Sequence, residues 1–207
     1  LVACVPAYAA PVSVVVVGVQ NQYDDPNGLL PFTQPDDATP WVLTFTYDSE
    51  TPDINPDPIA GEYRGAITTI SLSIGNNTFQ PFADNSVLVL NDNGNPDDGY
   101  SDLWIASTFE DAPLRPSFGL ILINFGASAL SSDALVTPSW PYPPWGFGMI
   151  DYSIYDRSSP DPGDWRSTAV AAARVTSIAV VPIPATFWLL GTACLGAMGW
   201  RWRRSPG

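Results

Sequence analysis

The chain has 207 residues and contains no histidine and no lysine, and its two cysteines, Cys4 and Cys194, lie near its ends. Without histidine, the sequence excludes serine–histidine and cysteine–histidine nucleophilic pairs, zinc sites with histidine ligands, and an imidazole general base. The long stretch between the two cysteines has no thiol with which to form a disulfide. We therefore expect it to be held together by its own hydrophobic core.

Positive charge is also scarce. All eight basic residues are arginines, against 21 acidic residues, which gives a net charge of −13. The acidic residues all lie between Asp24 and Asp164, and the five arginines of the chain body leave that part at −16. Such a surface repels the phosphates of DNA and RNA, so nucleic-acid binding is excluded.

Carboxylates are the remaining groups with which the chain body could catalyse a reaction. Two of them can hydrolyse a glycoside when one has a raised pKa and the other lies opposite it. Most of the 18 aspartates, however, fall in runs rich in proline and glycine, where solvent keeps the pKa of a carboxyl low. The sequence therefore predicts a protein without catalytic activity, with glycoside hydrolysis as the catalytic alternative.

The chain body reads as short strands separated by turns. From Trp41 to Asp48, large apolar residues alternate with smaller ones at the period of two that places one face of a strand on a core. The chain has 22 prolines and 16 glycines, and no ten-residue helical pattern precedes the C-terminal segment. This predicts an all-β fold, a single antiparallel β-sandwich that is jelly-roll-like, with eight or nine strands. The predicted strands are 11–20, 41–48, 70–74, 86–90, 101–108, 118–125, 147–155 and 169–181.

The C-terminal segment, residues 181–207, differs from the body in composition. Pro182 and Pro184 precede an uncharged apolar run, 186–200, and prolines are tolerated just before a helix. A helix of this length rises about 22 Å, which is shorter than the roughly 30 Å of a bilayer core. The arginines that follow it are suited to hold that end at cytoplasmic headgroups. The segment predicts a short hydrophobic helix that enters a membrane.

This order of parts resembles the PEP-CTERM sorting signal of Gram-negative bacteria, which is processed by the membrane protease exosortase. Because Ile183 stands where the family's namesake has glutamate, the segment is most similar to the Val-Pro-x-Pro-Ala variant. The resemblance implies passage through the inner membrane, an exosortase-type protease as partner, and a final location at the cell surface or in the exopolysaccharide or biofilm matrix. An ordinary C-terminal anchor is the alternative. The implied signal residues are Val181, Pro182, Pro184, Arg201, Arg203 and Arg204.

The N-terminal residues also predict export. Ala7-Tyr8-Ala9 has the small-x-small form of a signal peptidase site, which makes residues 1–9 the remnant of a signal peptide. A lipoprotein box ending at Cys4 is the competing interpretation. The predicted organisation is therefore a signal remnant at 1–9, an extracellular domain at 10–180, and the sorting segment at 181–207. Loop sequences of the body, such as 24–32, resemble an uncharacterised surface domain found with this tail.

A loop dense in oxygen-bearing side chains, residues 91–102, is the candidate metal site. Calcium prefers six to eight hard oxygen ligands, and several positions fall at EF-hand ligand spacings. Pro96 replaces the EF-hand glycine and no helices are predicted to flank the loop, so it is not an EF-hand. A long hairpin turn is the alternative, because Asn, Asp and Gly favour turns. A second acidic cluster at 48–57 is a weaker candidate. The candidate calcium ligands are Asn91, Asn93, Asn95, Asp97, Asp98 and Asp102.

A segment that interleaves aromatic residues with prolines, 139–147, is the candidate carbohydrate-binding surface. Trp140, Tyr142 and Trp145 offer flat apolar rings on which a sugar can stack. The alternative is that a tryptophan folds back and closes one end of the sandwich, because aromatic side chains bury large apolar areas. The second function that the sequence predicts is therefore a carbohydrate-binding β-sandwich, stabilised by calcium.

Overall fold

The computed structural model describes residues 11–57, 59–91, 102–125, 129–130, 132–135, 145–156 and 166–181. These residues form ten β-strands and no helix. The strands are β1 (Val12–Asp24), β2 (Pro40–Tyr47), β3 (Ala60–Arg64), β4 (Ile67–Ile74), β5 (Asn77–Phe79), β6 (Asp84–Asn91), β7 (Asp102–Phe109), β8 (Leu114–Asn124), β9 (Phe147–Asp156) and β10 (Arg166–Val181).

All ten strands belong to one sheet, in the order β3-β6-β7-β8-β9-β10-β1-β2-β4-β5. Every neighbouring pair is antiparallel. The first and last strands lie side by side in the middle of the sheet, with Ser13 opposite Val181 and Asp24 opposite Val170. The two ends of the described body therefore lie next to each other.

The sheet curls so that its two halves enclose the core. Phe45 on β2 and Trp104 on β7 lie far apart in the strand order, yet their ring centroids are 5.9 Å apart. Nearby, Phe118 on β8 stacks on Tyr152 on β9 at 6.0 Å, and Phe79 on β5 contacts the same tyrosine at 5.3 Å. Aromatic pairs at these distances stabilise a core beyond the area that they bury.

The all-β, antiparallel prediction is confirmed. Eight strands coincide closely with predicted ones, and the short strands β3 and β5 were not predicted. The arrangement differs from the expected jelly-roll-like sandwich, because the strands form one continuous curled sheet rather than two. Ring contacts between distant strands, such as that of Phe45 with Trp104, hold the curl, and the β1–β10 ladder shifts register at Val17/Gly18 and Gln20/Gln22. Bulges increase the local twist and bend of a strand, which lets one sheet curl without breaking.

The predicted C-terminal helix lies outside the described residues. Within the part of the chain that the structure describes, no helix has the length and apolar character needed to cross a membrane. β10 ends at Val181, which is the first residue of the predicted sorting segment.

Candidate functional site

The first turn of the body shows what many of its aspartates do. Asp25 accepts hydrogen bonds from the backbone N–H of Leu29 (2.7 Å) and of Leu30 (3.0 Å), one on each carboxylate oxygen. Gly28 supplies the positive φ of 63° that the turn requires. Leu30 and Phe32, just beyond the turn, are buried in the core. Asp25 therefore positions core residues.

The second acidic cluster, at 48–57, has the same character. Asp53 Oδ1 accepts from the backbone N–H of Asn55 at 2.8 Å and of Glu62 at 2.9 Å. Asp48 and Asp57 each accept from the backbone N–H two residues further along the chain. Such Asx turns explain the composition of this loop without a bound ion.

The structure describes two of the candidate calcium ligands, Asn91 and Asp102. Asn91 ends β6 directly opposite Asp102 at the start of β7, and Asn124 on β8 lies opposite Asp102 on its other side. All three are buried, at 1–4% exposure. Asn124 was not identified from the sequence, because only the strand register brings it to this row. The other candidate ligands, Asn93, Asn95, Asp97 and Asp98, lie outside the described residues.

The two carboxylate oxygens of Asp102 differ in their hydrogen bonding to the described residues. Its Oδ2 accepts from the backbone N–H of Ala129 at 2.8 Å and of Leu130 at 3.0 Å. Its Oδ1 is buried and has no hydrogen-bond partner among the described atoms. In the described parts of the chain, no three His, Cys, Asp or Glu side chains are grouped closely enough to hold a metal ion.

Trp145 is a core residue in the structure. It is 2% exposed and belongs to the main hydrophobic cluster. The neighbouring Gly146 donates its backbone N–H to the carbonyl of Ile123 at 2.9 Å, which ties this segment to β8. The burial of this ring agrees with the alternative interpretation, in which a tryptophan folds back into the core. Trp140 and Tyr142 lie outside the described residues.

Of the predicted sorting residues, the structure describes Val181 alone. It pairs with Ser13 and is 47% exposed. The remaining sorting residues, Pro182, Pro184, Arg201, Arg203 and Arg204, lie outside the described part of the chain.

A feature that was not identified from the sequence is a groove of about 860 Å³ on the outer face of the sheet, opposite the core. We call it the outer-face groove. Ser86 on β6 and Ser107 on β7 line its floor and pair with each other, and Gly119 on β8, which pairs with Ser107, continues this row of small residues. The neighbours of Gly119 in sequence, Phe118 and Leu120, are buried in the core, so this row faces the other side of the sheet.

The two sides of the outer-face groove differ in chemistry. On one side, Leu88 pairs with Ile105 and Ile105 with Ile121, which forms an aliphatic wall. On the other side, the guanidinium carbon of Arg115 lies 3.7 Å from the ring centroid of Phe109, a cation–π contact.

Asp151 closes the row of small residues, because it lies directly opposite Gly119 in the β8–β9 ladder. It is 6% exposed, and the hydroxyl of Ser153 donates to its Oδ2 at 3.0 Å. Burial raises the pKa of the Asp151 carboxyl to about 6, although the hydrogen bond from Ser153 acts in the opposite direction. Burial, followed by the charge of Asp151, also raises the pKa of Tyr155.

The rim of the outer-face groove is mainly acidic. Glu62, Asp84 and Asp111 lie there with Arg64, whose Nε donates to Glu62 Oε1 at 2.7 Å. With Asp151 ionised, four carboxylates face two guanidinium groups. The groove therefore has a net negative charge.

One sequence signal could have identified this site. Asp151 lies inside a strand pattern, between the core residues Ile150 and Tyr152, and not in a turn. An acid at the outward position of an otherwise apolar strand is unusual, because ionised carboxyls are rarely buried without a partner.

Comparisons with protein-family models, with curated proteins and with solved structures gave no match to this chain.

Proposed function

We propose that this chain is an exported, membrane-sorted protein of the cell surface or extracellular matrix, without catalytic activity, which associates with exopolysaccharide. Its organisation would be a signal remnant at 1–9, an extracellular β domain at 10–180, and a PEP-CTERM-like sorting segment at 181–207. An exosortase-type protease of the inner membrane would be its processing partner. The proposal rests on the resemblance of the C-terminal segment and on the acidic composition of the body.

The observation that best supports a separable tail is the end of β10. Within the described residues, the β1–β10 ladder runs from Asp24 opposite Val170 to Ser13 opposite Val181, so the central strand pairing reaches the point where the sorting segment begins. We expect a body held by the pairs of this ladder, from Ser13–Val181 to Asp24–Val170, to remain folded after the tail is removed.

The proposal is tested by a chain that stops after Val181, which keeps β10 whole. In a Gram-negative host that has exosortase, we expect the full chain to be held at the inner membrane and then processed. The shortened chain should be exported without that intermediate. A matched control replaces Pro182 and Pro184 with alanine and leaves the apolar run intact. If the shortened chain reaches the same location in the same form as the full chain, the proposal is wrong.

A second candidate function is a carbohydrate-binding domain stabilised by calcium. The buried Oδ1 of Asp102, which has no hydrogen-bond partner within the described part of the chain and lies next to the paired Asn91, favours a cation at this end of the sheet. Calcium should then raise the melting temperature of the full chain, and this rise should be absent in Asp102→Asn. The surface variant Asp37→Asn is the control. An equal response to calcium in all three proteins would exclude a site at Asp102.

A further inference from the structure

We propose that the outer-face groove binds a neutral saccharide chain. The inference rests on the proposed association with exopolysaccharide, and it names the surface and the class of polymer that this association would use. It places the ligand on the β3, β6, β7, β8 and β9 face and not on the aromatic segment to which Trp145 belongs.

The shape of the groove suits an extended polymer. The paired row that forms its floor crosses from Arg64 on β3 to Asp151 on β9, which covers five strands. At about 4.8 Å between neighbouring strands, the row is roughly 19 Å long. The 860 Å³ volume lies within the usual range of ligand sites, and the small side chains of Ser86 and Ser107 leave the floor open.

The hydrogen-bonding capacity of this face favours a saccharide over a peptide. The backbone groups of β7 and β8 are used in the ladders with their neighbours, so only side chains are available to a ligand. A peptide would place its own unpaired N–H and C=O groups against the aliphatic wall, at a cost in free energy. A saccharide instead packs its C–H faces on Leu88, Ile105 and Ile121, and turns its hydroxyls to the floor.

The polar groups of the groove match hydroxyl ligands. Ser107 and Ser117 can both donate and accept hydrogen bonds, and a carboxylate such as Asp151 accepts them from hydroxyls. Tyr155 adds an aromatic ring with a hydroxyl at the same end of the groove. A small number of polar groups on a mainly apolar surface is the usual composition of a site that fixes the orientation of its ligand.

The charge of the groove selects among polysaccharides. Glu62, Asp84, Asp111 and Asp151 outnumber the two arginines, and Arg64 is already paired with Glu62. Uronates and sulfated sugars would meet net repulsion, which disfavours such ligands by like-charge contact. The charge of the groove therefore disfavours anionic polysaccharides relative to neutral ones.

The position of the groove agrees with a ligand outside the cell. Tyr155 and Arg115, which pair with each other at one end of the groove, lie next to the start of β10 in the strand register. β10 then extends for 16 residues, about 50 Å, before it reaches Val181, where the sorting segment begins. This end of the groove thus lies far along the sheet from the point at which the tail leaves.

The test measures binding of the full chain, in mild detergent, to soluble neutral glucan, mannan and galactan and to polygalacturonate. We expect binding to at least one neutral polymer and none to polygalacturonate. Ser107→Trp, which fills the floor, should weaken that binding about tenfold or more, and Asp151→Asn about tenfold. Ser73→Trp is the matched control: Ser73 is another half-buried serine on the outward side of a strand, but it lies on β4 away from the groove, and this variant should bind normally.

Several outcomes would overturn the inference. These are the absence of binding to any of the three neutral polymers, stronger binding to polygalacturonate, or equal binding by Ser107→Trp and Ser73→Trp when both melt near the parent temperature. Release of reducing ends that disappears in Asp151→Asn would support the groove as the site but would contradict the proposed lack of catalytic activity. The proposed sorting is judged separately, by the location of the chain that stops after Val181.

Discussion

At the scale of single residues, the aspartates of this protein divide into two kinds. Those in turns, such as Asp25 and Asp53, use their oxygens to accept backbone N–H groups. Asp151 differs, because it is buried within a strand and has a raised pKa. The first kind could be predicted from the sequence, since Asp beside Pro and Gly favours turns. For the second kind, the strand pattern around Asp151 indicates an unusual position, but the burial itself could not be predicted because it depends on the neighbouring strands.

Replacing Asp151 with asparagine should change how stability depends on pH. Burial raises the pKa of this carboxyl from its ordinary value of 3.8 to about 6 in the native state, so the native protein holds the proton more tightly than the unfolded chain does. Below pH 4 the carboxyl of Asp151 is protonated in both states and does not reduce the free energy of unfolding. As the pH rises from 4 to 6, the free energy of unfolding falls, and above that range the loss is on the order of 3 kcal/mol.

Denaturant unfolding of the parent and of Asp151→Asn, at about pH 4.5 and about pH 7.5, tests the predicted fall in the free energy of unfolding with rising pH. The variant should gain stability relative to the parent at the higher pH, and most of that gain should vanish at the lower one. Ser153 can donate to asparagine as it does to aspartate, so the hydrogen bond is retained. A difference between the two proteins that is the same at both pH values would contradict the burial of an ionisable group here.

Replacing Asp25 with alanine should destabilise the body. Two backbone N–H groups, those of Leu29 and Leu30, lose a charged acceptor, which we expect to cost about 2 kcal/mol. Asp37→Ala, at an exposed position, should change the free energy of unfolding by less than about 0.5 kcal/mol. Equal effects of the two substitutions in chemical denaturation would show that the carboxylate of Asp25 has no special role.

At the scale of elements, alternation of apolar and polar residues predicted the strands reliably. β2 follows it fully, with Trp41, Leu43, Phe45 and Tyr47 buried and the residues between them partly exposed. β3 and β5 carry no such pattern: β3 contains Gly61, and β5 has only three residues. Their pairing is set by neighbouring strands and not by their own composition.

The β7–β8 pair should be sensitive to any side chain at Gly119. A Cβ placed there would lie 2.2 Å from the carbonyl oxygen of Ala106, so the strands would have to move apart. We expect Gly119→Ala to cost about 3 kcal/mol. Gly28→Ala meets no atom within 4 Å and should cost only about 1 kcal/mol, the strain of an alanine at positive φ. Thermal unfolding of both variants tests this order, and the reverse order would show that β7 and β8 are less closely packed than described.

At the scale of the whole molecule, the fold class could be predicted but not the topology. The approximate bounds of eight strands and the antiparallel arrangement follow from pattern and turns, whereas the two short strands β3 and β5 do not. The curl into one sheet depends on contacts distant in sequence, such as those of Trp104 with Phe45 and Tyr47. The outer-face groove was missed for the same reason, since the row that forms its floor is assembled from five strands by register alone.

The candidate metal and sugar sites also depend on strand register and on contacts distant in sequence. Asn91 and Asp102 were predicted to act together, and the β6–β7 register places them opposite each other. Trp145 was predicted either to stack on a sugar or to fold back into the core. An aromatic residue in a proline-rich segment does not by itself distinguish these two roles. Its burial depends on the core that β8 and β9 provide.

The central claim is that this acidic body is exported and released from a tail that sorts it. The most direct test is the intact mass of the protein recovered from the outside of a Gram-negative host that has exosortase. We predict a species that begins after Ala9 and has lost the hydrophobic segment 186–200. Recovery of the protein only from inside the cell, or with the leader residues and the tail both retained, would contradict the account.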